Sequence, residues 1–174
     1  MIISVENLKK HIETSLPDEV LEAKLESLEL LIRKHTNNNF QNRGFRFNCT
    51  IMTTKLFLTT PLLKVGDTVQ ISESIYSNGI YVIKAVEDEF IELDKQLIDE
   101  SDVLVTKVEY PMDVVFGAVN MMKWDLENRD KVGIQSETIS RHSVTYFSMD
   151  GDNSSMGYPK SLLGFLVPYM KARF

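Results

Sequence analysis

The side chains in this sequence that could do chemistry are three histidines and one cysteine, and their spacing groups none of them. His11 and His35 fall on predicted helices and His142 falls in a polar strand, so a metal site built on any of them would lack partner ligands. Cys49 has no basic neighbours that would favour a reactive thiolate, and we expect a small buried hydrophobic residue there. We therefore predict no catalytic, cofactor-binding or metal-binding residues.

An aspartate-rich run near the carboxyl-terminal end is similar in outline to a calcium-binding loop. Asp150 and Asp152 have the spacing of its first ligands, but the position of the closing glutamate is occupied by Ser161. We interpret residues 148–157 as a mobile polar loop. The sequence contains no phosphate-binding glycine loop, no nucleophile elbow and no HExxH motif, so nothing specific indicates an enzyme.

The composition limits the class of protein. The chain has 174 residues, of which 43% are hydrophobic and 25% charged, as in ordinary globular proteins. A net charge of -6 disfavours non-specific binding to nucleic acid, which requires a basic surface. We expect no transmembrane helix and no secretory signal, and the single cysteine suggests a reducing, intracellular origin.

Helical periodicity marks three segments ahead of the carboxyl-terminal region. Two lie before residue 40 and are separated by Pro17, with Ser4 as the expected cap of the first. The apolar positions of the first are Val5, Leu8, Ile12 and Leu16, and those of the second are Leu21, Leu25, Leu28, Ile32 and His35. A third helix is predicted from Pro111, with Val115, Ala118, Val119, Met122 and Leu126 on its apolar face.

Between the second and third helices the sequence changes to short β-type segments separated by turns. We predict strands at 56–59, 68–72, 80–86, 90–93 and 103–108, with a turn at 64–67 and a hairpin turn at Asn78-Gly79. Strands of this length and spacing favour a small antiparallel barrel. The predicted fold class is α+β, with residues 1–44 and 109–174 forming a helical domain and residues 45–108 an inserted β-module.

The last forty residues are the most distinctive part of the sequence. We predict a strand or hairpin arm within 136–147, then the loop, then a helix that begins at Pro159 and is kinked at Pro168. This helix is rich in aromatic residues, which dominate protein interfaces. The candidate assembly interface consists of Tyr158, Pro159, Leu162, Phe165, Leu166, Tyr169, Arg173 and Phe174. The alternative is that this helix completes the helical core, and both can hold on different faces.

The order of these elements resembles the head–tail connector (adaptor) proteins of long-tailed bacteriophages. The resemblance covers residues 3–40 and 110–174. It rests on the paired amino-terminal helices, the polar turn at 128–133, the SETISRHSVTY segment at 136–146 and the closing YPKSLLGFLVPYMKARF segment. The β-module departs from the shortest members of the family, which join the helices directly.

The resemblance implies a structural virion protein without a catalytic site. Such adaptors form a ring, typically dodecameric, beneath the portal protein at the capsid vertex, and contact neighbouring copies and a downstream stopper or tail protein. The protein would be made in the host cytoplasm and would reside in the neck of the virion, with no membrane partner. DNA would pass through the ring without sequence-specific binding, and an acidic lining would suit that passage.

A second hypothesis places function in the β-module. Its VGDTVQIS and NGIYVI segments are similar to small barrels of the Src-homology-3 type. Four aromatic residues could form a surface that recognises a peptide or nucleic acid, or could equally belong to the core: Phe57, Tyr76, Tyr81 and Phe90. The alternative function is therefore a cytosolic binding module.

Overall fold

A computed structural model describes residues 1–132, 136–139, 142–145 and 152–172 of the chain. The chain divides into two compact units, one formed by Met1 and Asn39–Tyr110 and the other by Ile2–Asn38 and Pro111–Phe174. The first, called the barrel unit, is a β-barrel, and the second, called the helical unit, is mainly helical. The predicted α+β class is confirmed.

The barrel unit contains six strands: β1 Gln41–Met52, β2 Lys55–Phe57, β3 Thr68–Ser72, β4 Gly79–Val86, β5 Ile91–Leu93 and β6 Glu100–Val108. They pair in the order β1-β2-β5-β4-β3-β6 and close into a barrel through β6 and β1. Every pair is antiparallel. Closure pairs the backbone of each strand on both sides and so leaves no free sheet edge.

Alternate side chains of these strands fill the barrel. The buried cluster comprises Cys49, Ile51, Leu56, Leu63, Val69, Ile71, Ile83, Ile91, Leu93, Leu97, Val103 and Val105. Cys49 is buried as predicted, and its burial raises the pKa of its thiol to about 11. At neutral pH this residue is therefore a protonated, apolar part of the core.

The connection between β3 and β4 differs from the predicted one. The two strands do form a hairpin, but they are joined by residues 73–78 and not by a two-residue Asn-Gly turn. Neither Asn78 nor Gly79 has a positive φ, whereas Glu73 has a φ of 60°. The Asn78 side chain instead closes the loop, because its amide accepts from the backbone N–H of Ser74 and donates to the carbonyl of Ser74.

The described residues of the helical unit include three α-helices: α1 Val5–Leu8, α2 Asp18–Thr36 and α3 Met112–Asn128. A 3₁₀ turn, Arg129–Lys131, follows α3. Two strand pairs come next, β7 Ser136–Ile139 with β8 His142–Thr145, and β9 Ser154–Ser155 with β10 Tyr158–Pro159. Two further 3₁₀ helices, Lys160–Leu162 and Gly164–Tyr169, complete the unit. The sequence predicts a strand or hairpin arm within 136–147, and the structure has two short strands there, β7 and β8, that pair with each other.

The first two helices follow the predicted order with one correction. Ser4 caps α1 through its hydroxyl oxygen, which accepts from the N–H of Asn7, but the helix ends at Leu8 and does not reach Leu16. The Thr14 hydroxyl accepts from the N–H of Leu16, a local bond that competes with helical pairing. Helix α2 begins after Pro17 and ends where Asn37 adopts the left-handed conformation, as the asparagine run predicts.

The predicted carboxyl-terminal α-helix is wrong in type. Its residues form 3₁₀ helices, in which the N–H of Leu166 bonds the carbonyl of Leu163. In an α-helix Pro168 would lack its hydrogen bond and clash with the carbonyl of Gly164. The predicted loop also differs, since Ser154–Ser155 pairs with Tyr158–Pro159 as β9 and β10. Residues 148–151 of that loop lie outside the described residues.

Candidate functional site

A polar cluster in the helical unit holds the start of the carboxyl-terminal segment, defined here as residues 158–174. Its centre is Asp125 of α3, which is buried. One carboxylate oxygen accepts from Lys24 Nζ of α2 at 2.7 Å, and the other accepts from Arg129 Nε at 2.5 Å. The Tyr158 hydroxyl donates to the same carboxylate at 3.4 Å. Asp125 therefore ties α2, the end of α3 and β10 together.

Arg129 strengthens this cluster through its planar guanidinium. The guanidinium carbon lies 5.3 Å from the ring centroid of Trp124 and 4.8 Å from that of Tyr158, and the two rings are 5.4 Å apart. A terminal nitrogen of Arg129 also donates to the carbonyl of Gly157 at 2.9 Å. A lysine could not make all of these contacts, because its ammonium has neither the planar group that stacks on the two rings nor the several fixed N–H donors of a guanidinium.

The electrostatics of the cluster match its geometry. Burial alone would raise the pKa of Asp125, but the hydrogen bonds and charges of Lys24 and Arg129 outweigh it and lower the pKa. Burial, together with the Asp125 carboxylate, raises the pKa of the Tyr158 hydroxyl. A pocket of about 340 Å³ opens beside these groups. Since its charged side chains bond one another, we interpret the cluster as an internal clamp.

The 3₁₀ helix Gly164–Tyr169 packs on α3. Leu166 is fully buried, and the ring of Phe165 lies directly on Gly117. A Cβ atom at Gly117 would lie 2.3 Å from the Cζ atom of Phe165, so only glycine fits there without displacement of the ring. The Tyr169 hydroxyl donates to the carboxylate of Asp113 at 2.8 Å, which raises the pKa of that hydroxyl. Packing and hydrogen bonding thus fix both ends of this short helix.

The chain beyond this helix is attached to the end of α2. The N–H of Lys171 donates to the carbonyl of Thr36 at 2.8 Å. The two asparagines that follow α2 make similar hydrogen bonds through their side-chain amides. Asn38 donates to the carbonyl of Tyr169 at 3.1 Å, and Asn37 donates to the carbonyl of Ala172 at 2.7 Å. The asparagines that end α2 therefore also hold the carboxyl-terminal segment in place.

These contacts divide the eight predicted interface residues. Tyr158, Pro159 and Leu166 are buried, and Leu162, Phe165 and Tyr169 are half-buried. Arg173 and Phe174 lie outside the described residues. Much of the predicted interface therefore packs within its own unit, as in the alternative in which this segment completes the helical core.

Other apolar side chains of the helical unit face solvent instead. Val167 is 65% exposed, and Met170, three residues on, is also exposed. Val167 belongs to the 3₁₀ helix Gly164–Tyr169, and Met170 follows the end of that helix in extended backbone. Met112 and Phe116 are exposed at a spacing of four on α3. Their exposure could have been predicted from the sequence, because Met112 and Phe116 both fall outside the predicted apolar stripe of α3.

The histidines and aspartates that could bind a metal ion are spread over the helical unit. The His11 ring lies 5.6 Å from that of Phe116 in an edge-to-face contact, and His35 is half-buried on α2. His142 belongs to β8, and its side chain lies outside the described part of the chain. The backbone carbonyl of Asp152 accepts from Lys160 Nζ at 2.6 Å, whereas Asp150 is not among the described residues.

Two searches cover the ranges 1–132, 136–139, 142–145 and 152–172. Within these ranges no group of three or more histidine, cysteine, aspartate or glutamate side chains could hold a metal ion. No helix in the same ranges is long and apolar enough to cross a membrane.

The four aromatic residues of the β-module differ in their contacts and in their exposure. The rings of Phe57 and Phe90 are 6.4 Å apart, and the ammonium of Lys55 lies 4.0 Å from the Phe90 centroid. Tyr81 is half-buried and donates its hydroxyl hydrogen to the carbonyl of Ser77. Tyr76, on the β3–β4 loop, is 67% exposed and is the aromatic residue of this set most available to a partner.

No family model matches the sequence, and none of the curated proteins is significantly similar to it.

Proposed function

We propose that this protein is a head–tail connector of a bacteriophage, which forms a ring beneath the portal protein and links it to a stopper or tail protein. The observation that carries the proposal is the exposure of large apolar side chains in the helical unit, namely Met112 and Phe116 of α3 and Val167 and Met170 of the carboxyl-terminal segment. Large side chains of this type in water favour association with another protein. The sequence resemblance to connectors supplies the kind of assembly.

The rigidity of the carboxyl-terminal segment supports the same proposal. Val167 and Met170 lie on backbone that Tyr169, Asn38 and Lys171 attach to α2 and α3. A surface that is ordered before it binds loses less conformational entropy on association. In a closed ring each subunit contacts the next through two different faces, and Val167 and Met170 would belong to one of them.

Electron microscopy of the protein mixed with the portal protein of the same source tests this proposal. We expect a ring stacked on the portal. The double variant Val167→Ser/Met170→Ser should lose the ring while its helical unit stays folded. Leu62→Ser/Val65→Ser, which changes two exposed apolar residues of the barrel unit, is the matched control and should still assemble. Wild-type protein that never associates with the portal would contradict the proposal.

The alternative, a cytosolic module that recognises a peptide or nucleic acid, receives support from the exposure of Tyr76. Under this alternative the full chain should bind short peptides or single-stranded RNA in the absence of any portal protein. Loss of that binding on Tyr76→Ala would favour the module over the connector.

A further inference from the structure

One end of the barrel is formed by three connections that are hydrogen-bonded to one another. They are the turn between β1 and β2, the loop 73–78 and the loop 94–99 between β5 and β6. The N–H of Thr53 donates to the Asp99 carboxylate at 2.7 Å, and the carbonyl of Thr53 accepts from Leu97. The N–H of Ile98 donates to the hydroxyl of Ser77 at 3.3 Å. The three connections therefore form a single surface.

The loop 73–78 is held from within by polar groups. The Ser74 hydroxyl is buried and donates to the Glu100 carboxylate at 2.6 Å. The other oxygen of Glu100 accepts from the N–H of Ile75 at 2.7 Å. These hydrogen bonds lower the pKa of Glu100, so the carboxylate remains charged at neutral pH. The Ser74 oxygen also accepts from the N–H of Ser77. The loop thus has a defined conformation without using its apolar side chains.

Those apolar side chains point into solvent. Four large hydrophobic residues are at least half exposed at this end, and we call them the barrel cap: Met52, Ile75, Tyr76 and Ile98. Ile75 is 77% exposed, the highest value among the large hydrophobic residues that the structure describes. Scattered single residues of this kind need no explanation, but these four lie at one end of the barrel, Met52 at the end of β1 and the other three on the hydrogen-bonded loops, as expected of an interaction site.

The charges beside the cap are mainly acidic. Glu73 and Asp99 are exposed in the same loops, and Glu100 is half-buried at the start of β6. Lys95 is the basic residue of the loop 94–99. An acidic border repels the phosphates of nucleic acids and of anionic lipids, and two copies of the cap would repel each other. It attracts a partner with an opposite border.

We propose that the barrel cap is a docking surface for a partner protein that presents an apolar patch bordered by lysine and arginine. Ile75 and Tyr76 insert into the apolar patch of the partner, and Glu73 and Asp99 face its basic border. The inference does not depend on the connector proposal, because it concerns only the barrel unit and a different set of exposed residues.

The test uses the full chain and a displayed library of small helical domains with one randomised face. We expect selected binders to carry aliphatic or aromatic residues surrounded by lysine and arginine. Their affinity should fall about tenfold or more with Ile75→Ser/Tyr76→Ser and should also fall as salt is added. Leu62→Ser/Val65→Ser serves as the control variant outside the cap and should bind with the wild-type affinity.

Three outcomes would overturn the proposal. The first is binders whose affinity is the same for the cap variant and the wild type, or a library that yields no binders at all. The second is cap-dependent binding of anionic vesicles or of single-stranded DNA. The third is self-association, measured by sedimentation, that Ile75→Ser/Tyr76→Ser abolishes, since this would assign the cap to a second copy of the chain.

Discussion

The carboxyl-terminal segment and the barrel cap are both short irregular stretches rich in large apolar side chains, yet they use them in opposite ways. In the segment, Tyr158, Leu163 and Leu166 are buried in the helical unit. In the cap, Ile75 and Tyr76 remain in water. Both backbones are fixed by polar contacts. The difference teaches that apolar content alone does not reveal whether a stretch serves its own core or a partner.

The polar contacts explain why the apolar side chains are exposed in one region and buried in the other. Ser74 and Glu100 hold the loop 73–78 through hydrogen bonds, so we expect its apolar side chains to contribute little to folding. The segment has a clamp at Asp125 as well, but its side chains Leu163 and Leu166 are also buried, and this burial stabilises the helical unit. Among the described residues of the segment, Val167 and Met170 are the large apolar residues that are exposed like those of the cap.

The largest predicted effect separates two neighbours in the segment. Leu166→Ala should lower the free energy of unfolding of the helical unit by about 2 to 5 kcal/mol, because it removes a fully buried side chain. Val167→Ser should change it by less than about 0.5 kcal/mol, because Val167 is mostly exposed. Urea unfolding followed by the fluorescence of the single tryptophan, Trp124, reports on this unit. Equal losses for both variants would contradict the division of the segment.

Asp125→Asn tests the clamp and is expected to cost about 2 kcal/mol at neutral pH. This is below the value for a fully buried pair, because Lys24 and Arg129 are each more than a third exposed and partly screened. The folded-state pKa of Asp125 is lowered, so its stabilisation is present above about pH 4 and is lost as the pH falls through the folded pKa. Wild type and variant should therefore converge in acid. A difference that stays constant from neutral to strongly acidic pH would show that the carboxylate charge is not what stabilises the clamp.

Gly117→Ala probes the contact between α3 and Phe165. Overpacking costs about 1 to 3 kcal/mol, whereas alanine in a helix gains at most about 1 kcal/mol over glycine, so we expect a net loss of roughly 1 kcal/mol. Gly164→Ala is the matched control, since a Cβ there meets nothing within 4 Å. Adding Phe165→Leu to Gly117→Ala should restore part of the loss. Thermal unfolding measures the stability of these variants. A Gly117→Ala variant as stable as the Gly164→Ala control would contradict the prediction.

Much of the architecture could be predicted because local patterns and tertiary packing agree. The leucine stripe and asparagine stop of α2 are visible in the sequence, and the structure places the helix at Asp18–Thr36. Strand β1 was not predicted as a strand, although Phe45, Phe47, Cys49 and Ile51 alternate along it. Polar residues between them, together with Gly44, weaken the pattern. Only pairing with β2 and β6 reveals it.

The candidate site could be predicted only in part, because exposure depends on what packs around each side chain. The aromatic segment with Pro168 predicts an assembly interface at the carboxyl-terminal end, but it does not predict that Gly117 receives Phe165. The Asn78-Gly79 pair correctly indicates a hairpin. It does not indicate that the connecting loop is longer than two residues and exposes Ile75 and Tyr76. Contacts distant in sequence, such as that of Ser74 with Glu100, decided both cases.

The smallest predicted effect concerns the cap itself and decides whether its hydrophobic residues serve folding at all. Ile75→Ser/Tyr76→Ser removes two large apolar side chains, yet the barrel should lose less than about 0.5 kcal/mol, because both are mostly exposed and the loop is held by Ser74 and Glu100. Cys49, the single cysteine, lies in the barrel core with a pKa of about 11, so the rate of its alkylation measures how often the barrel opens. An unchanged rate in the variant means that folding does not require these residues, and their exposure then calls for a partner. A rate raised tenfold would mean that the cap is part of the barrel core, and the contrast between the two regions would disappear.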